Sequence, residues 1–360
     1  MVDMKKLLRC LTLSVILTSL LLSSCGPKPA PQQPPPAAPG SVTTLSPGSG
    51  AETGKLPQAI SIITLSVGGS SYIMGAGVAQ VVEKYTGVKV AVEPTSTFLA
   101  QGTIMAAGQG EVGVWDACEE YWAYHKEQLY PTNVDLRHLI SGHDLQLSFV
   151  TSPKTGIKSV TDLKGKKVSL IGPGQTMNEL GPRAIFKAYG MDWEKDATVL
   201  YVPGGTPGIR AIIEGKADAY FGTAAGSKMR DLETAVGSYV VPIDPEKVNI
   251  MKKELPFLVS STMSGKAPGL HVDTPMIAWK QGLASMANIS DELAYAIVKA
   301  VLEHNEELNT IHVNFKMWDL KSSVLDPPIP FHPGAVKYYK EKGIWTPELD
   351  ALQKTLAASK

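Results

Sequence analysis

Cysteine is scarce in this chain: Cys10, Cys25 and Cys118 are the whole supply. That is too few for a disulfide framework, and no CxxC pair is present to hold a metal. Net charge is also missing, since 34 Lys and Arg balance 34 Asp and Glu. A chain without a basic excess has no electrostatic footprint for nucleic acid. Long hydrophobic runs are absent too. The longest, Leu11 to Leu22, has about a dozen residues against the roughly 20 that a spanning helix needs. No HExxH, phosphate loop or GxSxG elbow occurs, and His143, His271, His304 and His312 share no metal spacing. The sequence therefore gives no ground to expect a cofactor, a metal or a catalytic nucleophile. Cys118, alone in the folded part, reads as a small buried apolar residue.

What is present begins at the N-terminus. Lys5, Lys6 and Arg9 precede the apolar run, which ends in Leu22-Ser23-Ser24-Cys25. Basic, apolar and small-residue regions in that order are the layout of a secretory signal. The tetrad resembles a bacterial lipobox, which implies lipidation of Cys25 and attachment to a membrane outside the cytoplasm. Without residues 1–24, 31 basic residues face 33 acidic ones. Residues 26–57 hold nine of the 26 prolines, among Gly, Ser, Ala and Thr. Such a segment buries too little apolar surface to fold. As polyproline II its thirty residues reach up to roughly 90 Å, which suits a tether.

The folded region is read as alternating strands and helices. Strands are expected at 59–65, 88–92 and 112–115, with helices at 75–86 and 100–108 between them. The plan repeats with strands at 168–171 and 199–202, helices at 177–189 and 207–214, and an end at Phe221. Ser290 caps a helix expected over 291–308, and 275–279 reads as a strand returning to the first half. The pattern predicts α/β construction with a largely parallel sheet in two similar lobes.

Four stretches then carry a resemblance. They are Gly68-Gly69-Ser70-Ser71-Tyr72-Ile73-Met74-Gly75, Leu163 to Val168 followed by Gly172-Pro173-Gly174, Glu214 to Ala219, and Phe331-His332-Pro333-Gly334 through to Gly343. The last is the most specific. Together they span about residues 60–345, and the chain resembles the TAXI-type solute-binding receptors of tripartite ATP-independent periplasmic (TRAP) transporters. The resemblance implies a type II periplasmic binding protein fold: two α/β lobes joined by a hinge, with a ligand cleft between them. The expected organisation is a signal (1–24), a lipidated Cys and linker (25–57), the first part of lobe 1 (58–150), lobe 2 (151–270), and a return to lobe 1 with C-terminal helices (271–360). The implied function is capture of a small organic acid or amino acid by a monomeric, lipid-anchored receptor at the periplasm or cell surface. Delivery would be to the membrane subunits of a TRAP permease. A ligand-presenting lipoprotein sensor and the binding protein of an ATP-driven transporter are the alternatives.

Ligands of open α/β lobes sit at the carboxyl ends of strands, near free helix N–H groups. Candidates for contact are therefore Ser70, Ser71 and Tyr72 in the first turn, and Thr95, Ser96, Thr97 and Gln101 after the second strand. Trp115 and Asp116 end the third strand. Gly174, Gln175 and Thr176, then Gly205 and Thr206, follow strands of the second lobe. Each has a plain structural alternative: a helix cap, a packed ring or a solvated carboxylate. Where the family commonly has Gln-Ser-Asp, this chain has Asp116-Ala117-Cys118-Glu119-Glu120, which is more acidic. Glu119 and Glu120 read as one solvated acidic face of a helix. Were they instead to line the cleft, a cationic or zwitterionic solute would be favoured over a dianion. His332, between residues of the most specific stretch, reads as structural.

Overall fold

The computed structural model describes residues 55–172 and 176–359. In chain order the first elements are β1 (Ala59–Thr64), α1 (Ser70–Thr86), β2 (Lys89–Pro94), α2 (Phe98–Ala106), β3 (Val112–Asp116), α3 (Ala117–His125) and β4 (Leu136–Thr151). Next come β5 (Lys166–Ile171), α4 (Thr176–Ala188), α5 (Trp193–Asp196), β6 (Ala197–Val202), α6 (Gly205–Ile213), β7 (Ala219–Thr223), α7 (Ser227–Val236) and β8 (Tyr239–Val240). The last are α8 (Pro245–Met251), β9 (Val259–Met263), β10 (Thr274–Met286), α9 (Asp291–Glu303), α10 (Asn305–Ile311), α11 (Pro333–Glu341) and α12 (Pro347–Ala358).

All strands belong to one mixed sheet, ordered β2-β1-β3-β10-β4-β7-β5-β6, with β8 beside β4 and β9 beside β10. β1, β2 and β3 are parallel, as are β5, β6 and β7. Between these groups β4 and β10 form a long antiparallel pair. This corrects the largely parallel sheet expected from the sequence, in which β4 was not recognised as a strand. The cause is visible along β4. Its apolar ends, Leu136, Leu139 and Ile140 on one side and Leu147, Phe149 and Val150 on the other, are separated by Ser141-Gly142-His143-Asp144. A polar middle hides a strand from any reading by hydrophobic pattern. Here that middle is where the strand passes from one lobe to the other.

The crossing has its own geometry. β10 shifts register around Gln281 and Leu283, a bulge that bends the strand. Glycine is required beside it: a Cβ on Gly142 would lie 2.1 Å from the Gln281 carbonyl oxygen, and one on Gly282 would lie 2.1 Å from that of Ile140. Just beyond, Lys280 Nζ lies 2.7 Å from Asp144 Oδ1, and the Ser261 hydroxyl donates to Asp144 Oδ2 at 2.7 Å.

The cores lie on both sides of the sheet, and one of them is shared by the two lobes. In lobe 1, Ile62, Val78, Val82, Ile297, Val301 and Tyr339 close between the sheet and helices α1, α9 and α11. A core on the other side of the sheet joins Trp115, Trp122 and Phe257 to Phe149, Phe186 and Trp193. Two helices differ from their sequence reading. α1 starts at Ser70 rather than Gly75, because Gly69 is extended and its carbonyl already accepts from Ile73 N–H. The helix expected over 291–308 breaks at His304, where the Asn305 amide donates to the carbonyls of Phe315 and Trp318. His332 is buried and caps α11 by accepting from Gly334 N–H at 3.2 Å, a structural role.

Candidate functional site

β3, β5, β6 and β7 all end toward one cavity of about 250 Å³. That is below the 300–1,000 Å³ usual for drug-sized ligands, so it suits a small solute. One wall belongs to lobe 1: Phe98, Asp116, Cys118 and Glu119, with Trp279 from β10. The other belongs to lobe 2: Thr176, Asn178, Gly205, Tyr220, Thr223 and Lys228. Leu145 and Leu147 of β4 lie between them.

The lobe 1 wall is acidic for a reason in the chain. Asp116 occupies the N-cap position of α3, yet it makes no cap bond. Its Oδ1 instead accepts from Gln281 Nε2 at 2.7 Å. Burial raises the Asp116 pKa to about 6, the amide of Gln281 opposing it. The Trp279 indole N–H also acts on this carboxylate, but without a hydrogen bond of ordinary geometry. Glu119 follows one turn of α3 later, on the same face. Burial raises its pKa to about 7, against the 2.8 Å hydrogen bond donated by Tyr130, and the nearby Asp116 adds to the rise. Burial also pushes the Cys118 thiol well up, so it is inert at neutral pH.

This corrects the solvated acidic face read from the sequence. Glu119 lines the cavity, and Glu120 is 1% exposed with Oε1 2.8 Å from His138 Nδ1. His138 Nε2 is in turn 2.9 Å from Ser141 Oγ. The three groups are ordered like a nucleophile, base and acid. All three are buried, so no substrate reaches them, and they tie α3 to β4 instead.

The lobe 2 wall is positive. Lys228 Nζ donates to Thr223 Oγ1 at 2.6 Å and lies 5.7 Å from the Tyr220 ring centre. Burial lowers its pKa. The same ammonium is 3.0 Å from where a side chain on Gly205, the first residue of α6, would begin. A lysine and the positive end of a helix dipole thus converge, and among the described residues no carboxylate forms an ion pair with that lysine.

Of the residues singled out from sequence, the cavity brings together Asp116, Thr176 and Gly205. The others that fall among the described residues lie outside its lining. Ser70 is exposed at the start of α1, and Tyr72 is half-buried on it. The Ser71 hydroxyl accepts from Leu65 N–H, and Thr95 Oγ1 donates to the Thr64 carbonyl. Ser96 is exposed, while Thr97 caps α2 by accepting from Ala100 N–H. Gln101 is buried and donates to the Val114 carbonyl. Trp115 is buried and stacks on Phe98, with ring centres 5.8 Å apart. Thr206 is exposed beside Gly205. Gly174, Gln175 and Cys25 fall outside the described residues. The sequence reading missed Lys228 and Thr223 because it ended the second repeat at Phe221. Thr223-Ala224-Ala225-Gly226-Ser227-Lys228 carries the strand, small-residue turn and helix start seen at the other sites.

A second hollow, of about 310 Å³, lies against α6 and residues 152–155. Two of its polar groups are already engaged: Ser152 Oγ donates to the Val236 carbonyl, and the Asp218 carboxylate accepts from Lys167 N–H.

The acidic wall has a consequence for stability. Asp116 and Glu119 titrate near 3.9 and 4.3 when unfolded. The folded protein therefore holds more protons between about pH 4 and 7, and stability is lost as pH rises through the folded values. Without ligand, stability is expected to fall from pH 5 to pH 8 by about 1–2 kcal/mol per group, and the melting temperature with it. Asp116→Asn should flatten part of that profile and raise the melting temperature at pH 8; an unchanged slope would count against the burial of this carboxyl.

The family model described as NMT1-like matches residues 62–343. Solved structures match as well. PhnD1 from Prochlorococcus marinus, in complex with methylphosphonate, has a TM-score of 0.50 at 9% identity, covering 73% of this chain and 92% of that one. A TctC solute binding protein from Polaromonas has 0.49 at 13% identity, covering 84% and 98%. The periplasmic aliphatic sulphonate binding protein SsuA from Escherichia coli has 0.45 at 14% identity, covering 84% and 86%. The likeness is one of fold, that of the two-lobed periplasmic binding proteins.

Proposed function

This chain belongs to the NMT1-like family, and from that premise we propose that it is an extracytoplasmic receptor for a small organic acid or amino acid. One observation carries the reading. The cavity lies between two lobes at the carboxyl ends of their strands, with carboxylates on one wall and a lysine beside helix starts on the other. Such a cavity suits a charged solute held between the walls, and its thiol, Cys118, is kept protonated by burial, so the chain is read as a binding protein. β4 and β10 run through both lobes and provide the hinge. Ligand favours closure because only the closed form makes both sets of contacts.

The finer assignment is a TAXI-type receptor that delivers its solute to a TRAP permease. Its support is the resemblance of the stretch from Phe331 to Gly343, which forms α11 and joins β4 through Phe331 and His138. Among the described residues no helix is long and apolar enough to cross a membrane. Attachment through a lipid on Cys25 would hold the receptor near its permease.

Trp279 gives a direct test. It lines the cavity and is 5% exposed, so closure over a ligand should change the intrinsic fluorescence. Trp279→Phe should remove that change while small-angle scattering still shows compaction. Solutes that bind without changing scattering would sink the closure mechanism.

A further inference from the structure

Resting on the receptor reading, we infer that the cavity selects zwitterions, holding a ligand ammonium on Asp116 and Glu119 of lobe 1 and its acidic group on Lys228 and Thr223 of lobe 2. This decides between the two solute classes left open above and fixes the ligand's orientation.

The argument starts from opposite charges held on opposite walls. Two carboxyls one helical turn apart face the cavity from α3, and one ammonium faces it from α7. Neither wall is neutralised by an ion pair: among the described residues, Asp116 takes the neutral hydrogen bond of Gln281 with the Trp279 indole beside it, and Lys228 takes that of Thr223. A simple anion would satisfy Lys228 and the first amides of α6, but it would lie against two carboxyls. A simple amine would suit the carboxyls and leave Lys228 beside a helix N-terminus with nothing to offset it. A molecule with both groups satisfies both walls.

A polar atom just behind the lobe 1 wall points the same way. Gln281 is 3% exposed; its Nε2 is spent on Asp116, while its Oε1 has no partner. It is an acceptor beside a carboxylate, and an ammonium brings three donors. The Trp279 indole N–H, at the cavity edge, is already turned on the Asp116 carboxylate. Buried polar atoms in native proteins are almost always paired, so an orphan acceptor bonded through its own amide to Asp116 marks a place where a polar ligand can complete the bonding.

The acidic group can be a carboxylate, sulfonate or phosphonate, since Lys228 and the helix start recognise a compact oxyanion in general. The test is a thermal-shift and calorimetric panel of matched sets. Each holds an amino acid, the 2-oxo acid without its amine and the amine without its carboxylate. Aminoalkyl sulfonates and phosphonates join it with their amine-free counterparts. The expected result is that every binder carries both charges and binds at least about 30-fold more tightly than either partner compound. Asp116→Asn and Glu119→Gln should shrink that advantage over the oxo acid to a few-fold or less. Oxo acids or alkyl sulfonates that bind as tightly as their amino counterparts, with Asp116→Asn indifferent, would overturn the inference while leaving the receptor intact. A panel in which no compound shifts the wild type would overturn the receptor reading itself.

Discussion

Lys228→Met should weaken solute binding by about 100-fold or more and leave the unliganded protein as stable as before, or more so. The loss follows from removing one partner of a desolvated, hydrogen-bonded charge contact, which costs about 2–5 kcal/mol. The stability change has the opposite sign. Without ligand, Lys228 is a half-buried cation beside the N-terminus of α6, held among the described residues by Thr223 and the Tyr220 ring. Burial already penalises its charged form, as the lowered pKa shows. Methionine keeps the stem and removes the unpaired charge. Calorimetry with a ligand from the panel and a melting curve without it read the two effects separately. A variant that bound normally would remove Lys228 from the site. A variant that bound poorly because it had unfolded would show a lower melting temperature, and the two failures are distinct.

Glu120→Ala should be the most destabilising single change near the site, at about 3–5 kcal/mol. It leaves His138 Nδ1 buried without its partner, and it unties α3 from β4. For a folded region of this size that is a fall of about 10 °C in melting temperature. Glu120→Gln, which keeps the shape and a hydrogen bond, should cost much less. Ser141→Ala should leave solute binding intact, because the Ser141 hydroxyl faces His138 inside the lobe rather than the cavity. If Glu120→Ala melted like the wild type, the pair would be contributing nothing to the fold.

These two sites show what the sequence could and could not disclose. The two-lobed plan was readable because β1, β3, β5 and β7 are short apolar runs bounded by glycine and followed by helical periods. β4 was not, since its polar middle at 141–144 breaks the pattern at the point where the lobes meet. Asp116, Thr176 and Gly205 were reachable from their place after strands. Glu119 and Glu120 are adjacent in sequence yet end in a cavity wall and in a core. Only the partners Tyr130 and His138 separate them, and both lie on other segments. Pairing across elements is a three-dimensional fact that spacing alone does not encode. Lys228 was legible by the same rule as Gly205, had the repeat been followed past Phe221.

The central pair of strands also sets the order in which the protein can be built. β3 pairs with β10, so Asp116 finds Gln281 only after the whole of lobe 2 has been made. The half of the protein that is synthesised first is thus the half that is completed last, when β10, α9 and α11 return to it. Pairings so distant in sequence slow folding. A nascent chain that cannot close its first lobe early stays open for longer, which, on the proposed extracytoplasmic reading, is the state in which the polypeptide would be threaded through a membrane.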